Sequence, residues 1–198
     1  MRKTLVVAVV FASAVGLAAA GSPFNHASKR GLNASSQLSK ESKQGAALIS
    51  FESMYGVDGP FVGDGFPIRD IPGDELPWTL RSARGRLDTD GHLTIKVQGL
   101  VFTDDEEVPP EMRGINDEDE FRAAVSCWTE EGDSITTKNV ITSGFPATRT
   151  GNATIRTTID LPNPCVAPIV MILAGSEEKW FAVTGFESEE GEDDEGGD

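Results

Sequence analysis

The feature that most constrains the fold of this chain is the alternation of apolar and polar residues over short stretches. In residues 92–101, HLTIKVQGLV, apolar side chains or glycine recur at every second position. A period of two places successive side chains on opposite faces of a β-strand, whereas an α-helix repeats every 3.6 residues. No stretch between Phe51 and Phe186 keeps a helical period. The sequence therefore predicts an all-β fold.

The clearest local element is a β-hairpin over residues 78–102. WTLRSARGRL leads into the turn DTDG, and the alternating stretch HLTIKVQGLVF follows. The Asp90-Gly91 pair supplies the residue of positive φ that such turns commonly need. Alternation and β-branched residues predict five further strands, at 121–128, 134–142, 152–161, 165–173 and 179–186. Short strands separated by turn signals predict a single antiparallel β-sandwich over residues 51–186.

The two cysteines, Cys127 and Cys165, predict one disulfide bond, because an even pair in an oxidising compartment has a single connectivity. A zinc site would need further ligands, and the chain has only two histidines, His26 and His92. Each cysteine lies on or beside a predicted strand. This resembles the immunoglobulin fold in outline, although the tryptophan position that the fold fills between its cysteines is not filled here.

The first 20 residues have the composition of a secretory signal peptide. Two basic residues precede an apolar run, and Ala18 and Ala20 place the cleavage site before Gly21. An uncleaved membrane anchor is the alternative, but the apolar run is short for a span and polar sequence follows it at once. We therefore expect a secreted, extracellular protein that has no membrane contact after the signal is removed.

The polar segment that follows, residues 21–50, is predicted to be a flexible leader. Its dibasic pair Lys29-Arg30 is a candidate processing site, which would make the residues up to Arg30 a propeptide. An ordinary pair of surface charges is the alternative. Asn33 and Asn152 each begin an Asn-x-Ser/Thr acceptor pattern, so both are candidate N-glycosylation sites.

The charge of the chain disfavours one class of partner and marks two acidic segments. The 17 Lys and Arg residues stand against 32 Asp and Glu residues, for a formal net charge of −15. This sign disfavours binding to nucleic acid phosphates. Residues 187–198, ESEEGEDDEGGD, hold eight acids and no base, and they predict a disordered acidic tail. Residues 103–120 predict a long acidic loop, either a tolerated insertion or a functional loop.

Four aspartates in the Gly- and Pro-rich segment 55–74 have two interpretations: Asp58, Asp64, Asp70 and Asp74. Asp, Gly and Pro favour turns without any ion. A calcium site is the alternative, and calcium is the one cofactor that the sequence suggests. Calcium loops space carboxylates two residues apart, whereas six residues of extended chain separate them by roughly 20 Å. The spacing therefore favours turns.

The sequence contains no complete motif for a catalytic site. His92 is the one histidine in the predicted domain, it lies at a hairpin turn, and no nucleophile, phosphate-binding or dinucleotide motif is present. A pair of carboxylates of the glycosidase type stays open, because such pairing depends on the fold. Five large aromatic residues are expected mainly in the core, with a sugar-stacking platform as the alternative: Trp78, Trp128, Phe145, Trp180 and Phe181.

Five segments within residues 53–186 carry a resemblance: MYGVDGPFVG, SARGRLDTDGHLTIKVQGLVF, FRAAVSC, FPATRTGNATIRTTIDLPNPCVAPIV and WFAVTG. In these segments the chain resembles small secreted proteins of bacteria and fungi that have no assigned activity. The resemblance implies a free-standing exported β-domain that keeps the cysteine pair. It implies no activity, ligand or catalytic residue.

We therefore expect a secreted β-sandwich that acts as a non-catalytic extracellular binding or surface protein, with a polysaccharide or a basic protein as partner. One alternative is a carboxylate-dependent hydrolase acting on an extracellular polymer. Another is an acidic effector-like protein that captures cations or basic partners through residues 103–120 and 187–198.

The two interpretations of the aspartate segment predict different responses to calcium. Turns without an ion predict the same melting temperature in millimolar calcium and in chelator, which is the result we expect. A bound ion stabilises only the native state, so a calcium site predicts a higher melting temperature with calcium. Differential scanning calorimetry measures the difference, with magnesium as the control, and a rise specific to calcium would overturn the turn interpretation.

Overall fold

The computed structural model describes residues 45–186 of the 198-residue chain. Within this range the fold is all-β, with several antiparallel sheets and no α-helix, so the predicted class is confirmed. No helix in the same range is long and apolar enough to cross a bilayer. The signal peptide, the pair Lys29-Arg30, Asn33 and the acidic tail lie outside the described residues.

Twelve strands form the described part of the chain. In chain order they are β1 (Ala47–Phe51), β2 (Met54–Gly56), β3 (Trp78–Thr79), β4 (Ser82–Asp88), β5 (His92–Gln98), β6 (Val101–Phe102), β7 (Glu120–Glu131), β8 (Ser134–Ile141), β9 (Phe145–Pro146), β10 (Ala153–Thr158), β11 (Val166–Ala174) and β12 (Trp180–Thr184). One short 3₁₀ turn, Gly59–Phe61, follows β2.

The strands pair antiparallel in three sheets. A four-stranded sheet has the order β1-β4-β5-β10. A six-stranded sheet has the order β2-β12-β11-β7-β8, and β9 also pairs with β7. A small sheet joins β3 to β6. Neighbouring strands are often far apart in the sequence, so most of this order depends on non-local pairing.

The predicted hairpin is confirmed at its centre, where β4 pairs with β5 from Ser82↔Gln98 to Leu87↔Leu93. Its outer ends leave the sheet and pair with each other as β3 and β6. Gly99 lies between β5 and β6 at a φ of 70°, a left-handed conformation that favours glycine and bends the chain there.

The leader boundary predicted at residue 50 differs from the structure. Strand β1 begins at Ala47 and pairs along β4 as far as Phe51↔Gly85. Leu48 and Ile49 pack against the hydrophobic core. These contacts extend the folded domain into the last residues of the segment predicted as leader, because a neighbouring strand supplies hydrogen bonds that the local sequence does not indicate.

The buried positions of the sheets contribute to one hydrophobic core. The Trp78 ring stacks on Phe181 with ring centroids 3.9 Å apart, and Phe102 lies 4.1 Å from Trp78 on the same measure. Trp78, Trp180 and Phe181 are fully or almost fully buried. These three aromatic residues therefore take the core position expected of them, since their burial removes large apolar areas from water.

The disulfide bond between Cys127 and Cys165 is confirmed, with Cα atoms 5.0 Å apart. Cys127 lies in β7, and Cys165 immediately precedes β11, the neighbour of β7 in the same sheet. An immunoglobulin domain instead uses its disulfide to join two sheets. The expected likeness to that fold is therefore not found at the bridge. Here the bridge links β7 to β11 close to the point where their pairing register shifts, between Val166 and Ile169.

Replacing both cysteines by alanine should lower the free energy of unfolding. The cysteines are 38 residues apart, and the loop that they close implies a loss of about 4 kcal/mol by the chain-entropy estimate. Urea denaturation without reductant measures the loss. Reductant should destabilise the wild-type protein by a similar amount and leave the double variant unchanged. Equal stability of the two proteins without reductant would contradict the role of the bridge.

Candidate functional site

The first candidate site is the basic face, which we define by Arg84, Arg86, Lys96 and Arg156. All four side chains are exposed on the outer side of the four-stranded sheet. They lie on β4, β5 and β10, three adjacent strands whose intervening positions are mostly buried in the core. The four residues line a groove with a volume of about 570 Å³. The rest of the lining comes from Ser50, Phe51, Glu52, Gly85, Thr94 and Thr154.

The strand register brings the cations of this face together. Arg84 and Lys96 are direct partners across β4 and β5, and Thr94 is the partner of both Arg86 and Arg156. Like charges directly opposite each other on neighbouring strands are destabilising. Among residues 45–186, no carboxylate forms a salt bridge with any of the four cations. The basic face is therefore a concentration of positive charge in a strongly acidic chain.

The second candidate site is the acidic cluster, which we define by Asp74, Glu75 and Glu177. One carboxylate oxygen from each residue lies within 4.8 Å of the others. Asp74 is buried and accepts a hydrogen bond of 2.8 Å from the indole nitrogen of Trp78. The Lys179 ammonium donates to Glu75 and lies 3.1 Å from a Glu177 carboxylate oxygen. Lys179 already supplies positive charge to the cluster, so the cluster by itself does not indicate a metal.

Two carboxyl groups of the acidic cluster, those of Asp74 and Glu177, have raised pKa values. Burial raises the pKa of Asp74, although the hydrogen bond from Trp78 opposes this effect. Desolvation raises the pKa of Glu177, and the negative charges of Asp74 and Glu118 add to the rise. Burial also raises the pKa of Asp117, close to the start of β7. Shifted pKa values cluster at functional sites, but networks of charged groups that only stabilise the fold also shift pKa values.

An acidic groove of about 590 Å³ lies beside the cluster, lined by residues 117–120, Gly175 and Ser176. Glu118 accepts a hydrogen bond of 2.6 Å from the Ser176 hydroxyl. The buried Asn116 amide donates to the Glu118 and Thr148 carbonyl oxygens and fixes this end of the acidic segment. The predicted acidic loop 103–120 is thus a loop that the fold anchors by specific hydrogen bonds.

The aspartates of the segment 55–74 occupy separate positions. Asp58 caps the 3₁₀ turn by accepting a 2.6 Å hydrogen bond from the Gly59 amide. Asp64 and Asp70 are exposed in turns, and Asp70 has a φ of 66°. Among the described residues, the groups of three metal-ligand side chains include Asp74 but none of the other three. The structure therefore gives each aspartate a turn or a packing role, and calcium binding stays a prediction.

The remaining predicted sites are dispersed. Trp128 keeps 47% of its surface exposed, and the Arg69 guanidinium lies over its ring at 4.1 Å, whereas Phe145 is half-buried. The five aromatic residues therefore do not form one platform. His92 is exposed and lies 3.1 Å from the Asp88 carboxylate at the hairpin turn. The Asn152 amide is half-buried and donates to the Thr150 hydroxyl at 2.9 Å.

Comparison with protein-family models, curated proteins and solved structures found no match for this chain. No residue role is therefore transferred from a relative, and the candidate sites depend on the geometry alone.

The sequence alone does not predict that the four cations of the basic face lie together. Alternation does place Arg84, Arg86, Lys96 and Arg156 on outward positions of three predicted strands. What joins them is the strand order, because β10 pairs with β5 across a long connection. A signal was available in the sequence: the polar positions of β4, β5 and β10 carry bases although the chain as a whole is acidic.

The raised pKa of Asp74 predicts a pH-dependent cost to stability. Between the ordinary value of 3.8 and the raised value, the native state binds more protons than the unfolded state. The free energy of unfolding therefore falls as pH rises through this range. In D74N the amide oxygen can still accept from Trp78 without an ionisable group, so the stability of D74N relative to wild type should increase from pH 4 to pH 7.

Urea denaturation at several pH values measures this difference. D74A serves as the matched control, because it removes the acceptor of the Trp78 indole at every pH and should be destabilised throughout. A stability difference between D74N and wild type that stays constant or shrinks towards pH 7 would contradict the assignment.

Proposed function

We propose that this protein is a secreted, non-catalytic binding protein and that its basic face binds an acidic polysaccharide. The observation that carries the proposal is the set of four exposed cations without a described acidic partner. Adjacent strands lie about 4.8 Å apart, and alternate residues of one strand lie about 7 Å apart. A polymer that repeats carboxylate or sulfate groups can engage several such cations at once, which raises its overall affinity.

The fold supports this use of the face. We infer that the four-stranded and six-stranded sheets pack face to face as a β-sandwich. The support is that their buried positions join one core, and that β1 approaches β11 while β2 approaches β4. In such a sandwich the basic face points away from the core and is held by three hydrogen-bonded strands. A rigid surface loses little conformational entropy on binding.

The acidity of the whole chain does not prevent binding of an anion. At physiological ionic strength the Debye length is about 8 Å, so the more distant carboxylates are largely screened. Short-range hydrogen bonds from guanidinium groups to carboxylate or sulfate decide the affinity instead. The signal-like N-terminus and the disulfide bond support an extracellular site of action.

A carboxylate-dependent hydrolase is the second candidate function. The raised pKa values of Asp74 and Glu177, together with the acidic groove beside them, favour it. The burial of Asp74 and the contacts of Lys179 with Glu75 and Glu177 favour a structural network instead. Hydrolysis of a polymer that E177Q abolishes would establish the hydrolase, and absence of turnover on polymers that the protein binds would exclude it.

Substitutions on the basic face test the proposed function. Each of K96Q and R156Q should raise the dissociation constant for a polyuronate at least about tenfold, because a hydrogen bond to a charged group contributes roughly 1.5–3 kcal/mol. Binding should also weaken as salt concentration rises. Isothermal titration calorimetry measures both effects, with a neutral glucan as the ligand control.

The matched protein control is K138Q, because Lys138 is also exposed but lies on β8 of the other large sheet. This variant should bind as wild type does. Circular dichroism shows whether each variant is folded. Failure of the wild-type protein to bind acidic polymers, or equal loss of binding in K138Q and K96Q, would refute the proposal.

A further inference from the structure

Besides an external polysaccharide, the chain itself contains an anionic segment that complements the basic face. We infer that residues 187–198, the acidic tail, dock on the basic face and compete there with an external polyanion. The competition with polysaccharide rests on the proposed function, whereas the docking itself does not. Three observations carry the inference: the charge of the face, the point at which the tail leaves the fold, and the length of the tail.

Charge complementarity is the first observation. The tail holds eight acids and no base, and the face holds four cations, two of which are direct cross-strand partners. An anion placed over Arg84 and Lys96 relieves the repulsion between them. Of the described residues that line the groove, Glu52 is the one acid, and it lies at the edge next to β1.

The point of departure is the second observation. Strand β12 ends with the pair Thr184↔Met54, so Thr184 lies beside the start of β2. The pairing is antiparallel, and the chain after Thr184 is therefore directed towards the residues that precede Met54. Glu52, two residues before Met54, lines the groove of the basic face. The tail thus leaves the fold at the rim of the surface that it complements.

The length of the tail is the third observation. Twelve residues span up to roughly 40 Å when extended at ~3.3 Å per residue. The basic face lies on three adjacent strands, so it crosses two strand spacings, or about 10 Å at ~4.8 Å each. The tail can therefore reach every cation of the face. A short tether also gives a local concentration in the millimolar range, so even a weak contact is occupied.

Zero-length crosslinking tests docking without any polysaccharide. A carbodiimide joins a lysine amine to a carboxylate only when the two are in contact. Lys96 is the only lysine of the basic face, and Lys138 is the matched control on the other large sheet. Mass spectrometry after proteolysis should find tail carboxylates joined to Lys96 and not to Lys138, and high salt should abolish the product. Coupling only to Lys29, Lys40 or Lys43 of the leader, or no coupling to Lys96, would overturn the docking.

Removal of the tail tests the competition. A chain ending at residue 186 should bind a polyuronate on the order of tenfold more tightly, if the tail at about 1 mM local concentration has a dissociation constant near 0.1 mM. The variant E189Q/E190Q/D193N/D194N keeps the length of the tail and removes four charges, and it should show part of the gain. Melting temperatures establish that both variants are folded.

The two experiments separate the inference from the proposed function. Coupling of the tail to Lys96, together with no polymer binding even after tail removal, would uphold the docking and refute polysaccharide binding. Polymer binding that is equal with and without the tail, together with no Lys96 coupling, would refute the inference and leave the proposed function standing.

Discussion

The alternation of side chains along β4, β5 and β10 is the constraint on which the rest of the structure depends. Each strand sends one set of residues into the core and the next set to the outside, and Leu87 with Arg86 shows this division at adjacent positions. A slip of one residue would exchange the two sets and bury the bases. The hairpin turn fixes the register, because the Asp88 carboxylate accepts 3.0 Å hydrogen bonds from the Asp90 and His92 amides. The pattern that builds the core therefore also builds the basic face.

The acidic cluster and the basic face differ in the partners of their charged side chains. The three carboxylates of the acidic cluster have internal partners, since Trp78 donates to Asp74 and Lys179 contacts Glu75 and Glu177. The four cations of the basic face have no such carboxylate partner among residues 45–186. Buried or paired charges mainly serve the fold, whereas exposed charges of one sign on a rigid surface attract a ligand of the opposite sign. This difference is why the basic face, and not the acidic cluster, is the better candidate for binding.

The sequence was informative where structure is local. Period-two alternation predicted the centre of the β4–β5 hairpin, and the cysteine count predicted the bridge between Cys127 and Cys165. It was uninformative where partners are distant. Nothing local indicates that the bridge joins two neighbours of one sheet, that Ala47 already pairs with β4, or that β10 completes the basic face beside β5. Exposure of Trp128 also depends on which strands and loops cover it, so composition could not separate it from the buried tryptophans.

The central claim is that the outer side of the four-stranded sheet is a surface that binds anions. Backbone amide chemical shifts, followed by NMR while a short oligouronate is added to the full chain, test it most directly. The account predicts shifts that cluster on β4, β5 and β10 and trace a contiguous path over Arg84, Lys96 and Arg156. Shifts confined to the surroundings of Trp128 or to the acidic groove, or no shifts at saturating ligand, would contradict it.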